Sequence, residues 1–273
     1  MRVTVVAGGT DGMGRALVHA RLERGDEVVA IGSNAAKGRT LPGEVHFLRT
    51  DLSSIAGTRE AIATIRERWP TVDALALFAN RQAPRRTVTA EGLEQTFALY
   101  YLSRYLLCHG LREQLDRSPT PVIINVAGVG STKGAIHWAD PQLAGRYRMI
   151  DAQLQAGRAN DLLGVDFAAN AVARARYVLY HPGFTRSGDL SPLAAPLRGA
   201  IRVAARFAAR PIAGSVRPIV EWIDTPPTAP LTAVDRGRPV PPDTRTLDPA
   251  AARRLAAVTA ELLTRVDGVS GVR

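Results

Sequence analysis

The first fourteen residues constrain the chain most. "RVTVVAG" (2–8) is an apolar run rich in β-branched residues, and "GTDGMG" follows it before a helical pattern opens near Met13. A strand that turns on glycines straight into a helix gathers backbone N–H groups and a helix N-terminus at one point. That arrangement suits a pyrophosphate. Gly8, Gly12 and Gly14 have GxxxGxG spacing. The motif alone is weak, because a glycine-rich turn needs no ligand. Its place between a first strand and a first helix gives it weight.

The same alternation continues along the chain. Strand-like stretches at 27–32, 44–52, 73–79, 121–128 and 175–183 alternate with helix-like ones, at about 13–24, up to Arg68, at about 93–116 and at 151–173. This predicts an α/β fold: one Rossmann-type, doubly wound parallel sheet with helices on both faces, spanning residues 1–273 as a single domain. The proline-rich stretch 224–249 reads as an irregular loop, and 250–266 reads as a closing helix. A hydrophobic content of 46% supports a large core.

Composition excludes several function classes. One cysteine, Cys108, allows no internal disulfide and suits a reducing compartment. The N-terminus reads as a strand without a signal-peptide layout, and no apolar run is long enough to span a membrane, so a cytoplasmic protein is expected. The net charge of +10 comes from arginines scattered through the chain, with only Lys37 and Lys133 as lysines. Without a cluster or a motif, that charge does not argue for nucleic acid. The five histidines lack chelating spacing, so no metal site is expected, and no GxSxG elbow occurs.

The second strand ends "AIGSNAAKGR". A free ribose 2′-hydroxyl usually meets a carboxylate there. Ser33 and Asn34 stand there instead, with Lys37 and Arg39 nearby, which favours NADP(H) over NAD(H). A helix cap flanked by solvated cations is the plainer reading.

At this point the chain resembles the short-chain dehydrogenase/reductase superfamily. "TDL" (50–52) is similar to the segment whose Asp, here Asp51, touches adenine, with Leu52 beside it. "HPGFTRS" (181–187) is similar to the segment beside the nicotinamide, with Pro182, Gly183, Phe184 and Ser187. "TAEGLEQTFALYYLSRYLL", "GAIHWADPQ" and "RANDLL" resemble the retinol-dehydrogenase-like branch. The resemblance implies a nicotinamide cofactor held by Gly8, Thr10, Asp11, Gly12, Met13, Gly14, Ser33, Asn34, Lys37, Asp51, Leu52, Ala79, Asn80, Pro182, Gly183, Phe184 and Ser187.

It also implies an Asn–Ser–Tyr–Lys catalytic set, and here the chain departs. The Asn position is Tyr100, the Ser position Gly128, the Tyr position Gln153 and the Lys position Gly157. Tyr147 with Asp151 has the Tyr–Lys spacing, but an anion would raise a tyrosine's pKa rather than lower it. Candidate replacements are Gln153, Ser131, Tyr100 and Tyr147, with His137 in the pocket-rimming segment. Each also has a plain structural reading.

Residues about 188–245 fall where relatives carry a variable substrate lid. "APLRGAIRVAARFAARP" (195–211) sets Arg198, Arg202, Arg206 and Arg210 at i, i+4 spacing. A solvated face explains them, and so does a dock for an acidic carrier protein. Three functions stay open. The first is an atypical NADP(H)-dependent reductase acting on a carbonyl or activated double bond of a hydrophobic small molecule. The second is a non-redox cyclase, isomerase or dehydratase on the same fold. The third is an inactive NADP(H)-sensing binding protein. A homodimer is expected by resemblance, paired through the helices near 93–116 and 151–173.

Overall fold

A computed structural model describes residues 1–170, 173–183 and 211–270. Eight strands form one sheet in the order β3-β2-β1-β4-β5-β6-β7-β8. They are β1 (Val3–Ala7), β2 (Glu27–Gly32), β3 (His46–Arg49), β4 (Ala74–Leu77), β5 (Val122–Val126), β6 (Arg176–His181), β7 (Leu231–Asp235) and β8 (Arg238–Pro239). All neighbours pair in parallel except β7 and β8. The strand order reverses between β1 and β4, which opens a crevice at their carboxyl ends, where such sheets bind ligands.

The central strands are apolar on both faces, as a sheet covered twice requires. On one face Val5, Val29, Leu75, Ile123 and Leu179 join the larger core cluster; on the other Val6, Ala30, Ala76, Ile124 and Val178 join a second. The first face is covered by α3 (Ile55–Arg68), by a helix after β4 and by α5 (Met149–Ala169), with α7 (Pro249–Ser270) packed on α5. The helix after β4, termed α4, has three joined segments: Gln95–Phe97, a π-helical turn Ala98–Leu102 and Ser103–Gly110. A short α2 (Ala35–Gly38) follows β2.

The second face carries α1 (Gly12–Leu22) and α6 (Ile212–Asp224). Arg21, fully buried, locks these two together. It donates to Asp26 at 2.7 Å and to Asp224 at 2.6 Å. Asp26 is itself anchored on β1 through Thr4 Oγ1 at 2.8 Å.

Two expectations change here. The stretch 224–249 is not wholly irregular, because Leu231–Asp235 joins the sheet beside β6 and Arg238–Pro239 turns back on it as an edge strand. Pro239 is tolerated there because an edge strand has a row of unpaired backbone groups. Of the stretch expected as a lid, the part from Ile212 onward builds core: Val216, Ile219, Val220 and Ile223 are buried against the sheet. Phe184, Ser187 and the arginines at 198, 202, 206 and 210 lie outside the described residues.

Candidate active site

A cleft of about 1040 Å³ runs along the carboxyl ends of the strands. Every described residue named above for the cofactor lines it, from Gly8 to Gly183. Its shape is set by close backbone packing. Gly8 has φ +83°, and a Cβ on it would lie 2.8 Å from the Ala79 nitrogen. A Cβ on Gly14 would lie 2.2 Å from the Gly8 oxygen. The glycines therefore make a cradle that no larger residue permits, and it sits at the start of α1. This cradle fits a dinucleotide's pyrophosphate.

The neighbouring end of β2 is built from small and polar groups. Asn34 caps α2 by accepting from the Lys37 N–H at 3.0 Å, so the capping role read from the sequence is real. The Lys37 ammonium reaches back across the cleft rim to Asp11, at 2.5 Å. Asp11 also accepts from the Gly12 N–H at 2.8 Å. Arg15, not singled out from the sequence, donates to Thr40 at 3.0 and 2.9 Å and braces the same corner. Arg39 is exposed and does not line the cleft. Asp51 lines it while accepting from the Ser53 N–H and hydroxyl at 2.9 and 2.7 Å.

The other end of the cleft lies between α4 and the ends of β4, β5 and β6, with α5 just behind it. Gln153 and Asn80 exchange amide hydrogen bonds at 3.0 and 3.3 Å, and Gln153 also donates to the Arg81 carbonyl at 3.0 Å. Its amide thereby ties α5 to the segment leaving β4. The Tyr147 hydroxyl donates to the Ala83 carbonyl at 2.6 Å and anchors the following loop. Ser131 gives its carbonyl to Arg158 at 2.7 Å. His137 is exposed, and its N–H donates to Gln155 at 2.8 Å. None of these four side chains lines the cleft.

Tyr100 and Gly128 do line it. A Cβ at Gly128 would meet nothing within 4 Å, and the same holds at buried Gly157. Both glycines thus stand in open space. The Tyr100 hydroxyl lies near the Gly128 N–H. Burial raises the Tyr100 phenol above its usual range, helped by the Asp161 charge; the Arg104 charge and the nearby Gly128 N–H oppose this without overcoming it.

Arg104 is fully buried, a role that no sequence pattern singles out. It donates to Asn125 Oδ1, to the Val126 carbonyl at 2.9 Å and to the Ala79 carbonyl at 3.0 Å. Its guanidinium lies 4.6 Å from the centroid of the Tyr100 ring. All three hydrogen-bond acceptors are neutral. Among the described residues no carboxylate pairs with it.

Two other groups escaped the sequence reading. Asp161, buried on α5, is pushed up to about 8 by burial, against the pull of Arg158 and the Gly130 N–H. His181, at the end of β6, lines the cleft and shares a hydrogen at 2.7 Å with Asp235, its register partner on β7. Burial works to raise Asp235, but hydrogen bonds from Arg236 and His181 outweigh it and hold the carboxyl low.

Comparisons with known proteins identify the family. A family model described as "short chain dehydrogenase" matches residues 2–140. The chain belongs to the short-chain dehydrogenases. It is 30% identical over 198 residues to "Putative daunorubicin C-13 ketoreductase DnrU" of Streptomyces sp. strain C5, covering 68% of this chain and 67% of that one. It is 26% identical over 148 residues to mouse retinol dehydrogenase 13, covering 51% and 44%. Among solved structures it is similar to the 3-alpha-hydroxysteroid dehydrogenase of Pseudomonas sp. B-0831 complexed with NADH, with TM-score 0.66 at 19% identity, covering 86% and 96%. That last likeness is one of fold. Membership of this short-chain dehydrogenase family makes the chain an oxidoreductase by type and implies a nicotinamide cofactor. Among the described residues no helix is long and apolar enough to cross a membrane.

Proposed function

We propose that this chain is an atypical NADP(H)-dependent reductase that acts on a carbonyl of a hydrophobic small molecule without the family's Tyr/Lys pair. The observation that carries the reading is one continuous cleft. It joins the glycine cradle to a β2 end without a carboxylate, and then to an apolar floor of Phe78, Leu99, Val126 and Ala127. The cofactor, when bound, supplies a hydride. The chain's own residues do the rest. The N–H groups at the start of α1 take the pyrophosphate. Ser33 and Lys37 take the 2′-phosphate, which competes with Asp11 for the ammonium. Asp51 meets the adenine. Asn80 and the Pro182–Gly183 turn seat the nicotinamide end.

The named activity of the Streptomyces relative suggests a ketone on an aromatic polycycle as the first substrate class to try. A second reading, non-redox catalysis on the same fold, draws support from the open space at Gly128 and Gly157. An acidic carrier protein and a homodimer remain proposals of the same rank.

The test is a fluorescence titration of the purified protein with NADPH and, separately, NADH. Tight NADPH binding with NADH at least tenfold weaker is the expected result. Oxidation of bound NADPH by daunorubicin or an aromatic ketone would then establish reduction. Binding of neither nucleotide overturns the reductase reading and leaves the non-redox one.

A further inference from the structure

The family's acid sits on α5, and here that position is occupied by an amide already committed to Asn80. From the geometry on the facing helix we infer that the proton donor has moved to α4: Tyr100 is the catalytic acid, and Arg104 is the cation that stabilises its phenolate. This rests on the reductase reading above.

Three independent features meet at Tyr100. First, it lies in the π-helical turn of α4, a local distortion that alters how a side chain leaves its helix and that recurs at functional sites. Second, it lines the cleft together with Gly128, with its hydroxyl near the Gly128 N–H, so it stands beside the position where the resemblance places the family's serine that holds the substrate oxygen. Gly128 offers no side chain in that space. Third, Arg104 places an uncompensated guanidinium over the ring. Arginine stays protonated even when buried. A fixed positive charge in a dry site is worth far more than one in water when negative charge develops nearby.

The backbone of Tyr100 is also held firmly. Asn160 on α5 donates to its carbonyl at 2.7 Å and to Ala156 at 2.8 Å, and accepts from Asn125 at 3.1 Å. Asn125 is in turn the acceptor for Arg104. One buried network therefore fixes both the acid and its cation against α5 and β5.

The step balances with the reductant already named. The carbonyl carbon accepts a hydride from reduced nicotinamide, and its π-electron pair moves to oxygen. That oxygen takes the Tyr100 proton, which leaves a phenolate near the Gly128 N–H and beside Arg104. The phenolate recovers its proton from solvent after the alcohol leaves. Burial keeps the free phenol protonated at neutral pH, which is the form the step needs. Arg104 touches no reacting atom; it is a positioning and electrostatic residue.

The test compares wild type with Tyr100→Phe, Arg104→Lys and Arg104→Met. NADPH titration of each variant shows whether the cradle is intact. Tyr100→Phe is expected to keep NADPH affinity within twofold and to lower kcat for daunorubicin by about 100-fold, within the range typical of lost acid catalysis. It is also expected to weaken binding of 9,10-phenanthrenequinone to the non-reacting NADP⁺ complex by about fivefold, the loss of one hydrogen bond. Arg104→Lys should retain more of kcat than Arg104→Met at equal NADPH affinity. If Tyr100→Phe binds NADPH, turns over within threefold of wild type and binds the quinone equally well, the assignment is overturned while the reductase reading stands. If wild type binds no NADPH, the reductase reading itself falls.

Discussion

The two ends of the cleft are shaped by different means. At the dinucleotide end the determinants are backbone shapes: a φ of +83° at Gly8 and a van der Waals approach at Gly14 that excludes any Cβ. At the carbonyl end they are side-chain identities, and there two glycines stand in open space. Glycine therefore means opposite things 143 residues apart, at positions 14 and 157. In the first case it is required by contact; in the second it leaves room. A fold can lose catalytic side chains without strain, but it cannot lose a close approach between backbones.

The largest effect should come from Gly14→Ala. Its Cβ would sit 2.2 Å from the Gly8 oxygen and within 3.3 Å of Gly9, so the turn must open. NADPH affinity should fall by more than about 100-fold, because the turn can no longer present its N–H groups to the pyrophosphate. Isothermal titration measures this. Retention of wild-type affinity would mean that the cradle does not hold the cofactor.

Next in size is a pH effect at the carbonyl end. Asp161 is buried, with a carboxyl pushed up to about 8, beside Arg158, the Gly130 N–H and the Tyr100 ring. Between its unfolded value near 4 and about 8 the folded chain holds a proton that the unfolded chain has lost. Stability therefore falls as pH rises through that window and levels off above it. Asp161→Asn, which mimics the protonated form, should flatten the fall in Tm between pH 5 and pH 8. The difference at pH 8 should be on the order of a few kcal/mol. Parallel Tm profiles for the two proteins would show that the carboxyl is not desolvated.

At the dinucleotide end, Lys37→Ala should weaken NADPH about tenfold and leave NADH unchanged, the worth of one charge-assisted contact. Equal weakening of both nucleotides would place Lys37 at the shared part of the cofactor, or in the fold through Asp11.

This contrast also explains what the sequence could reveal. The glycine turn and the alternating apolar runs are legible because backbone shape and sheet burial restrict residue type directly. β7 was not legible: "LTAVD" is short, partly polar and flanked by prolines. α6 has Pro218 within it, which argues against a helix in any pattern reading. The expectation that Gln153 and Gly157 stand in place of the family's Tyr and Lys rests on local anchors in the sequence. Tyr100 stands among four candidate replacements, but Arg104 does not stand out. Arg104 stands in "YYLSRYLL", where a lone arginine reads as the solvent-facing residue of an apolar helix. Only the fold brings it the carbonyls of Ala79 and Val126, from the ends of two different strands. His181 and Asp235 likewise become partners only once β7 lies beside β6 in register.

The smallest effect has the opposite sign. Gly157 lies inside α5, buried, with nothing within 4 Å of where a Cβ would project. Its φ is not in the left-handed region. Alanine at such a site should stabilise the helix by about 0.5–1 kcal/mol, which for a chain of this size raises Tm by roughly 2 °C. A drop in Tm would mean that the space is filled in solution by a group that the fold brings there. A rise in Tm with unchanged turnover would show that the room at 157 is not used. A rise in Tm with a raised KM would show that the substrate occupies it. In that case glycine stands at the lysine position because the ligand needs the volume, and the cation had to come from another helix.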